Sequence, residues 1–178
     1  MSQSERDVVV ANSNGVLVTV RRNPQPGERS VLIEIDADRE FEVPLHFHPK
    51  GGEWMKVVSG HVEFTVNGKK TTLTSDMGEL HIPTGQRHSI LKPKGVAAAF
   101  QERSEPDSNG KSVFFEDLFA SGDMPGFIEA MAVFWRNGDT YPAIGNNTPD
   151  ILGKVLVWVF GGFVGDFLGF APGPGKKQ

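Results

Sequence analysis

The chain has 178 residues, 38% of them apolar and 22% charged, which suits one soluble globular domain with appended elements and speaks against a disordered or membrane-channel protein. A net charge of -4, with no run of Lys or Arg longer than two, leaves no basic field for a nucleic-acid backbone. The absence of cysteine excludes disulfides, thiolate nucleophiles and Cys-bound zinc, so any metal must be held by nitrogen and oxygen.

In chain order, the polar opening Met1 to Asp7 and the brief Val8-Val9-Val10 run are too short for a signal-peptide core, and a cytoplasmic location is the expectation. From Val8 to Phe100 short strands alternate with turn residues, an all-β pattern. They are expected at Val16 to Val20, Val31 to Ile35, Trp54 to Val58, Val62 to Val66, Lys69 to Leu73 and Val96 to Phe100. Asn67-Gly68, between two of them, supplies the positive φ angles of a tight hairpin. Residues 1–100 are thus expected to form the β domain, and the polar segment 101–112, with Pro106, Asn109 and Gly110, a loop.

Residues 113–170 favour helices packed on the β domain. Asp123-Met124-Pro125 offers a cap and an early proline before Phe127, Ile128, Met131, Phe134 and Trp135, and Asn137-Gly138 ends that helix. Thr148-Pro149-Asp150 starts a second segment, Ile151 to Phe170, where Val155, Val157 and Val159 also fit a strand. Lys154 and Asp166 leave only eleven uncharged positions between them, which favours a cover for the β domain or a subunit contact over a membrane span. Most aromatics beyond Phe100 read as packing residues, and the Pro-, Gly- and Lys-rich stretch 171–178 as a flexible tail.

The chemistry is concentrated in His46-Phe47-His48-Pro49-Lys50-Gly51-Gly52-Glu53. In an extended chain His46 and His48 share a face, and the Pro-Lys-Gly-Gly stretch can turn the chain to bring Glu53 beside them, with Met55 and Val57 following on the inner face. Pro83-Thr84-Gly85 makes a second turn that delivers His88. Three imidazoles and a carboxylate so spaced point to one divalent metal. Glu53 could be a metal ligand, a general base, or both in turn. His81 could lie behind the ligands or face outward, His61 reads as a solvated turn residue, and Arg87 as a rim or surface charge in preference to a substrate clamp.

These residues resemble the two motifs of the cupin superfamily. His46, His48, Glu53 and Gly60 match the first in full, and Pro83, Gly85 and His88 match the centre of the second. Glu40, Met77 and Lys92 stand where the family has Gly, Gly and Asn, departures that fall on turns and spare the ligands. The resemblance covers Val31 to Phe100, and the whole chain is similar to small fungal cupins of secondary-metabolite pathways, several described as oxidoreductases. It implies a single jelly-roll β-barrel with added C-terminal helices and metal ligation by His46, His48, Glu53 and His88. It further implies an oxygenase or related oxidoreductase, with iron(II) favoured and manganese, zinc, nickel or copper as other ions. The substrate would be a small organic metabolite, anionic or enolisable, and edge-strand pairing into a homodimer is expected. Isomerisation, cyclisation or decarboxylation on the same metal, or ligand binding without catalysis, are the other readings.

Overall fold

The computed structural model describes residues 6–170; the expected tail at 171–178 lies outside them. Eleven strands run from β1 (Asp7–Ser13) and β2 (Val16–Arg21) through β3 (Val31–Ile35), β4 (Phe41–Phe47), β5 (Gly52–Ser59) and β6 (His61–Val66). They continue as β7 (Lys69–Thr74), β8 (Glu79–Ile82), β9 (His88–Lys92), β10 (Ala98–Glu105) and β11 (Tyr141–Pro142). Three helices are added: α1 (Gly110–Leu118), α2 (Phe127–Asn137) and α3 (Asp150–Leu156), the last continued by a π-helical stretch, Val157–Gly165.

Alternation dictates the inner faces. Val16, Val18 and Val20 of β2, Val31, Ile33 and Ile35 of β3, and Met55 and Val57 of β5 are all buried, and Phe64 and Phe100 meet edge to face with ring centroids 6.3 Å apart. Each fully buried side chain of this size contributes about 1.5–3 kcal/mol over leaving it in water. The Asn67-Gly68 turn forms as expected, with φ of 47° and 81° and Val66 paired to Lys69. Gly60 also has positive φ, and a Cβ there would lie 2.2 Å from the Ala97 carbonyl oxygen, so the first motif ends on a position only glycine can fill.

The strands form two antiparallel sheets, one in the order β1-β2-β3-β10-β5-β8 and one in the order β11-β4-β9-β6-β7. Among the described residues no ladder joins them, so the expected closed barrel is instead two sheets facing each other across a common core. Closure requires edge strands to meet; α1 and α2 instead line, with the inner faces of both sheets, a cavity at one end of the core.

The segment 101–112 departs most from expectation. β10 runs on to Glu105 and α1 begins at Gly110, leaving only 106–109 as a connection. Gln101, Arg103 and Glu105 are polar because they lie on the outer side of β10, while Phe100 and Glu102 are buried. The hydroxyl of Ser112 donates to the Arg21 carbonyl (2.6 Å), anchoring α1, and Phe115 and Phe119 complete the core. α2 starts two residues later than Pro125 suggests, leaving Pro125 outside the helix: Gly126 is the N-cap, its N–H bound by the Glu129 carboxylate at 2.8 Å, and Gly138 ends the helix in the left-handed region. The stretch is helical from 151 to 167, not strand, with a turn at 168–170, and packs against α2 through Gly161, where a Cβ would sit 2.1 Å from the Met131 carbonyl oxygen. Trp158, Phe163 and Phe167 on its other side are exposed, and among the described residues no helix is long and apolar enough to cross a membrane.

Candidate metal centre

β4 and β9 deliver the three histidines. A bulge between Val43 and His46 resets β4 so that His46 pairs with His88, while β11 pairs with the other edge of β4 at Phe47 and His46. Glu53 comes from β5 in the facing sheet. Gly52 permits the crossing, because a Cβ there would lie 2.9 Å from the Ile82 carbonyl oxygen. The two motif turns are tied together, Gly85 N–H donating to the His48 carbonyl at 2.8 Å.

All four residues converge: each offers a ligand atom, and these atoms lie within 4.8 Å of one another. His48 Nε2 and His88 Nε2 each stand 2.9 Å from a Glu53 oxygen. The opposite ring nitrogens are engaged elsewhere, His46 Nδ1 with the Pro44 carbonyl (2.8 Å), His48 Nδ1 with that of Asp139 (2.8 Å) and His88 Nδ1 with that of Gln86 (3.0 Å). A carbonyl can only accept, so each Nδ1 carries a proton, and in the neutral ring each Nε2 presents a lone pair inward. His48 Nε2, His88 Nε2 and Glu53 Oε2 are accordingly buried without a hydrogen-bond partner. Buried lone pairs facing one another need a cation or proton between them, so the donor set fits a divalent metal, with the carbonyls fixing each imidazole as second partners of metal-bound histidines do.

Two charged residues not singled out from the sequence complete the centre. Lys111 of α1 reaches both Glu53 Oε1 and Glu102 Oε1, the latter at 2.5 Å. Glu102 was legible in principle, lying two residues beyond Phe100 on the same strand face. Lys111 carries no local signal, because only packing of α1 brings it here.

Burial, and then the charges of His88 and His48, hold His46 well below the ordinary imidazole range, so it is neutral. At His88 burial is the largest single influence, but the adjacent Glu53 carboxylate outweighs it and raises the affinity for a proton. Glu53 is itself held well below the usual carboxylate range: burial opposes this most strongly, and the charges of His48 and Lys111 overcome it. Glu102 is pushed up to about 7 by burial and by the Glu53 charge. A bound metal would therefore displace a proton chiefly from His88. Because the proton affinity of His88 is raised, metal affinity should begin to fall above the ordinary imidazole value of about 6.5 and continue falling as pH drops, by about tenfold per pH unit for each proton displaced. Chelator-competition titrations between about pH 5 and 8 check this, and a flat profile would contradict histidine ligation.

The other candidates serve the fold. His81 stacks on Trp54 (centroids 4.4 Å apart) on the outer side of β5 and contacts Glu105, and His61 opens β6 opposite Thr74. Arg87 is not a rim or surface charge: it is buried and donates to the Gly145 and Thr148 carbonyls and, at 2.6 Å, to Asp150, fastening the start of α3 to β9.

The centre lies at the inner end of an apolar chamber of about 410 Å³, between the sheets and helices α1 and α2. Phe41, Met55, Phe100, Phe115, Met131 and Phe134 line it, with His46, His48, Glu53, Glu102 and Lys111 as its polar end.

No protein-family model matches the chain. Among curated proteins it is 29% identical over 145 residues to the probable oxidoreductase yanE of Aspergillus niger, covering 72% of this chain and 56% of that one. It is 27% identical over 147 residues to an oxidoreductase of Arthrobotrys oligospora, with the same coverages of 72% and 56%, and 29% identical over 164 residues to the epoxidase atD of Aspergillus terreus, with coverages of 84% and 50%. The chain thus spans about half the length of these relatives. Among solved structures it resembles KdgF from Halomonas (17% identity, 49% of this chain and 76% of that one, TM-score 0.41). It also resembles the cupin domain of Schizosaccharomyces pombe Cnp3 (16% identity, coverages of 54% and 60%, TM-score 0.34).

Proposed function

We propose that the chain is a metal-dependent oxidoreductase of the oxygenase type, acting on a small anionic or enolisable organic metabolite. One divalent ion, iron(II) by preference, would be held by His46, His48, His88 and Glu53 Oε2. The observation that carries this reading is the convergence of three inward imidazole lone pairs and one carboxylate at the end of an apolar chamber. The names of the relatives, oxidoreductases and an epoxidase, favour redox chemistry. The orders β3-β10-β5-β8 and β4-β9-β6-β7 support reading these eight strands as a jelly-roll.

A bound divalent ion with four protein ligands supplies further coordination positions and, against one carboxylate, a net positive charge that favours anionic oxygen donors. The chain does the rest. The aromatic walls exclude water from the substrate's apolar part and strengthen the electrostatics of the polar end. Lys111 ties down Glu53 Oε1, leaving Oε2 as the ligand oxygen and making Glu53 a ligand before it is a base.

Glu102, held near neutral pH in its proton affinity and lining the same chamber, favours a second reading in which a proton is moved during isomerisation, cyclisation or decarboxylation. Elemental analysis followed by screening of small enolisable acids and phenols for dioxygen consumption separates the two. The expected result is about one metal per chain and turnover that stops without dioxygen. Equal turnover under anaerobic conditions would replace the oxygenase reading by the proton-transfer one.

A further inference from the structure

The metal centre borders a second cavity. Beyond Lys111 and Phe114, on the side away from the apolar chamber, lies a space of about 250 Å³ lined by Lys50, Ser104, Glu105, Ser108, Asn137 and Asp139, among others. Among the described residues only His48, Glu53, Lys111, Phe114 and Thr140 face both spaces. His46 borders the apolar chamber alone.

The change in character follows the strands. Along β10 the inner residues pass from Phe100 and Glu102, in the chamber, to Ser104, in the second cavity; along β5 the lining passes from Met55 through Glu53 to Gly52, the first residue of the strand, and to Gly51 just before it. Glu53 marks the boundary. The Ser104 hydroxyl is buried without a protein partner and lines the polar side, and Lys50, Ser108 and Asn137 belong to that side only.

A hydrated ion passing through an aromatic chamber would shed its water against walls that offer no replacement ligands, at a cost that carboxylates, carbonyls and hydroxyls avoid. An apolar organic molecule has the opposite preference. We infer that two separate routes serve the centre: hydrated small species, the divalent ion on loading and water thereafter, enter through the polar cavity, while the organic substrate occupies the apolar chamber. Each side could then exchange without the other emptying. This rests on the metal-site reading above.

The test uses metal-free full-length protein, Co(II) as the hydrated probe followed by stopped-flow absorbance, and 1-anilinonaphthalene-8-sulfonate as the apolar probe. The dye fluorescence that Co(II) quenches reports dye in the chamber. Ser108→Trp, at the exposed rim of the polar cavity, should slow Co(II) uptake by about tenfold and leave the quenchable dye signal unchanged. Lys50→Trp, at a second exposed residue lining the same cavity, should do the same and covers a folding failure of the first variant. Met124→Trp, exposed at the chamber mouth, should reduce the quenchable dye signal and leave Co(II) uptake unchanged. Unaltered Co(II) uptake in folded Ser108→Trp and Lys50→Trp proteins, or slowed uptake in Met124→Trp, overturns the two-route inference. Failure of the wild-type protein to bind Co(II) overturns the metal-site reading itself.

Discussion

Replacing His46 with alanine should weaken metal binding by more than about 100-fold and yield protein that purifies without its ion, while the fold survives. Removing a residue that merely orients a metal ligand costs about 10–100-fold in affinity, and loss of the ligand itself exceeds that. His46 suits the experiment because its ring borders the chamber and its hydrogen bond is local, from Nδ1 to the carbonyl two residues back at Pro44. Alanine enlarges an existing cavity and strands no distant partner, so the metal-free variant should unfold within about 1–2 kcal/mol of the metal-free parent. His48 would be a less clean choice, since its Nδ1 also holds the Asp139 carbonyl in the loop after α2. His81→Ala is the control: that ring stacks on Trp54 outside the sheet, and metal affinity should not change. Elemental analysis and chelator competition read the result. Full metal occupancy in the His46 variant would remove it from the ligand set.

Lys92→Met should destabilise the protein by about 3 kcal/mol or more, the largest stability effect expected of a single side chain outside the apolar core. Lys92 occupies the place where the resembling family carries Asn, and it is fully buried. Its ammonium donates to three backbone carbonyls, those of Asp36 (2.5 Å), Ala37 (3.3 Å) and Arg39 (2.7 Å), closing the turn between β3 and β4. Methionine keeps most of the stem's packing and leaves those carbonyls without their charged donor, so the loss isolates the hydrogen bonds. A urea titration of the metal-free protein measures it. Lys70→Met makes the comparison: that ammonium pairs with Glu63 at 2.7 Å on an exposed hairpin, and its loss should cost no more than about 1 kcal/mol. Similar midpoints for the two variants would refute the role given to Lys92.

The same contrast, between what neighbours in sequence settle and what distant packing settles, runs through the whole molecule. The strands at Val16, Val31, Trp54, Val62 and Lys69 were readable because a half-buried strand must alternate, and alternation is a two-residue signal. β10 was only half readable: once past Phe100 its outer residues are polar and its inner residue is Glu102, so periodicity that depends on apolar residues vanishes although the strand continues. α1 starts at Gly110, three residues inside the expected loop, for the same reason: it follows a polar connection with no strong cap. Burial of Arg87 and Lys92 was likewise hidden, since each is buried only because particular backbone carbonyls from other segments meet it.

By itself the sequence determined the identity of the candidate metal ligands, the inward face they share and the turns that present them, because strand alternation and glycine turns act over a few residues. Only the tertiary structure decided that the sheets stay two and do not close, and that Glu102 and Lys111 join Glu53. It alone showed that one side of the centre is strongly apolar and the other richer in polar groups. Those outcomes depend on contacts between segments far apart in the chain, such as Glu102 and Lys111 with Glu53, 49 and 58 residues away, for which no local pattern in the chain can stand as a record.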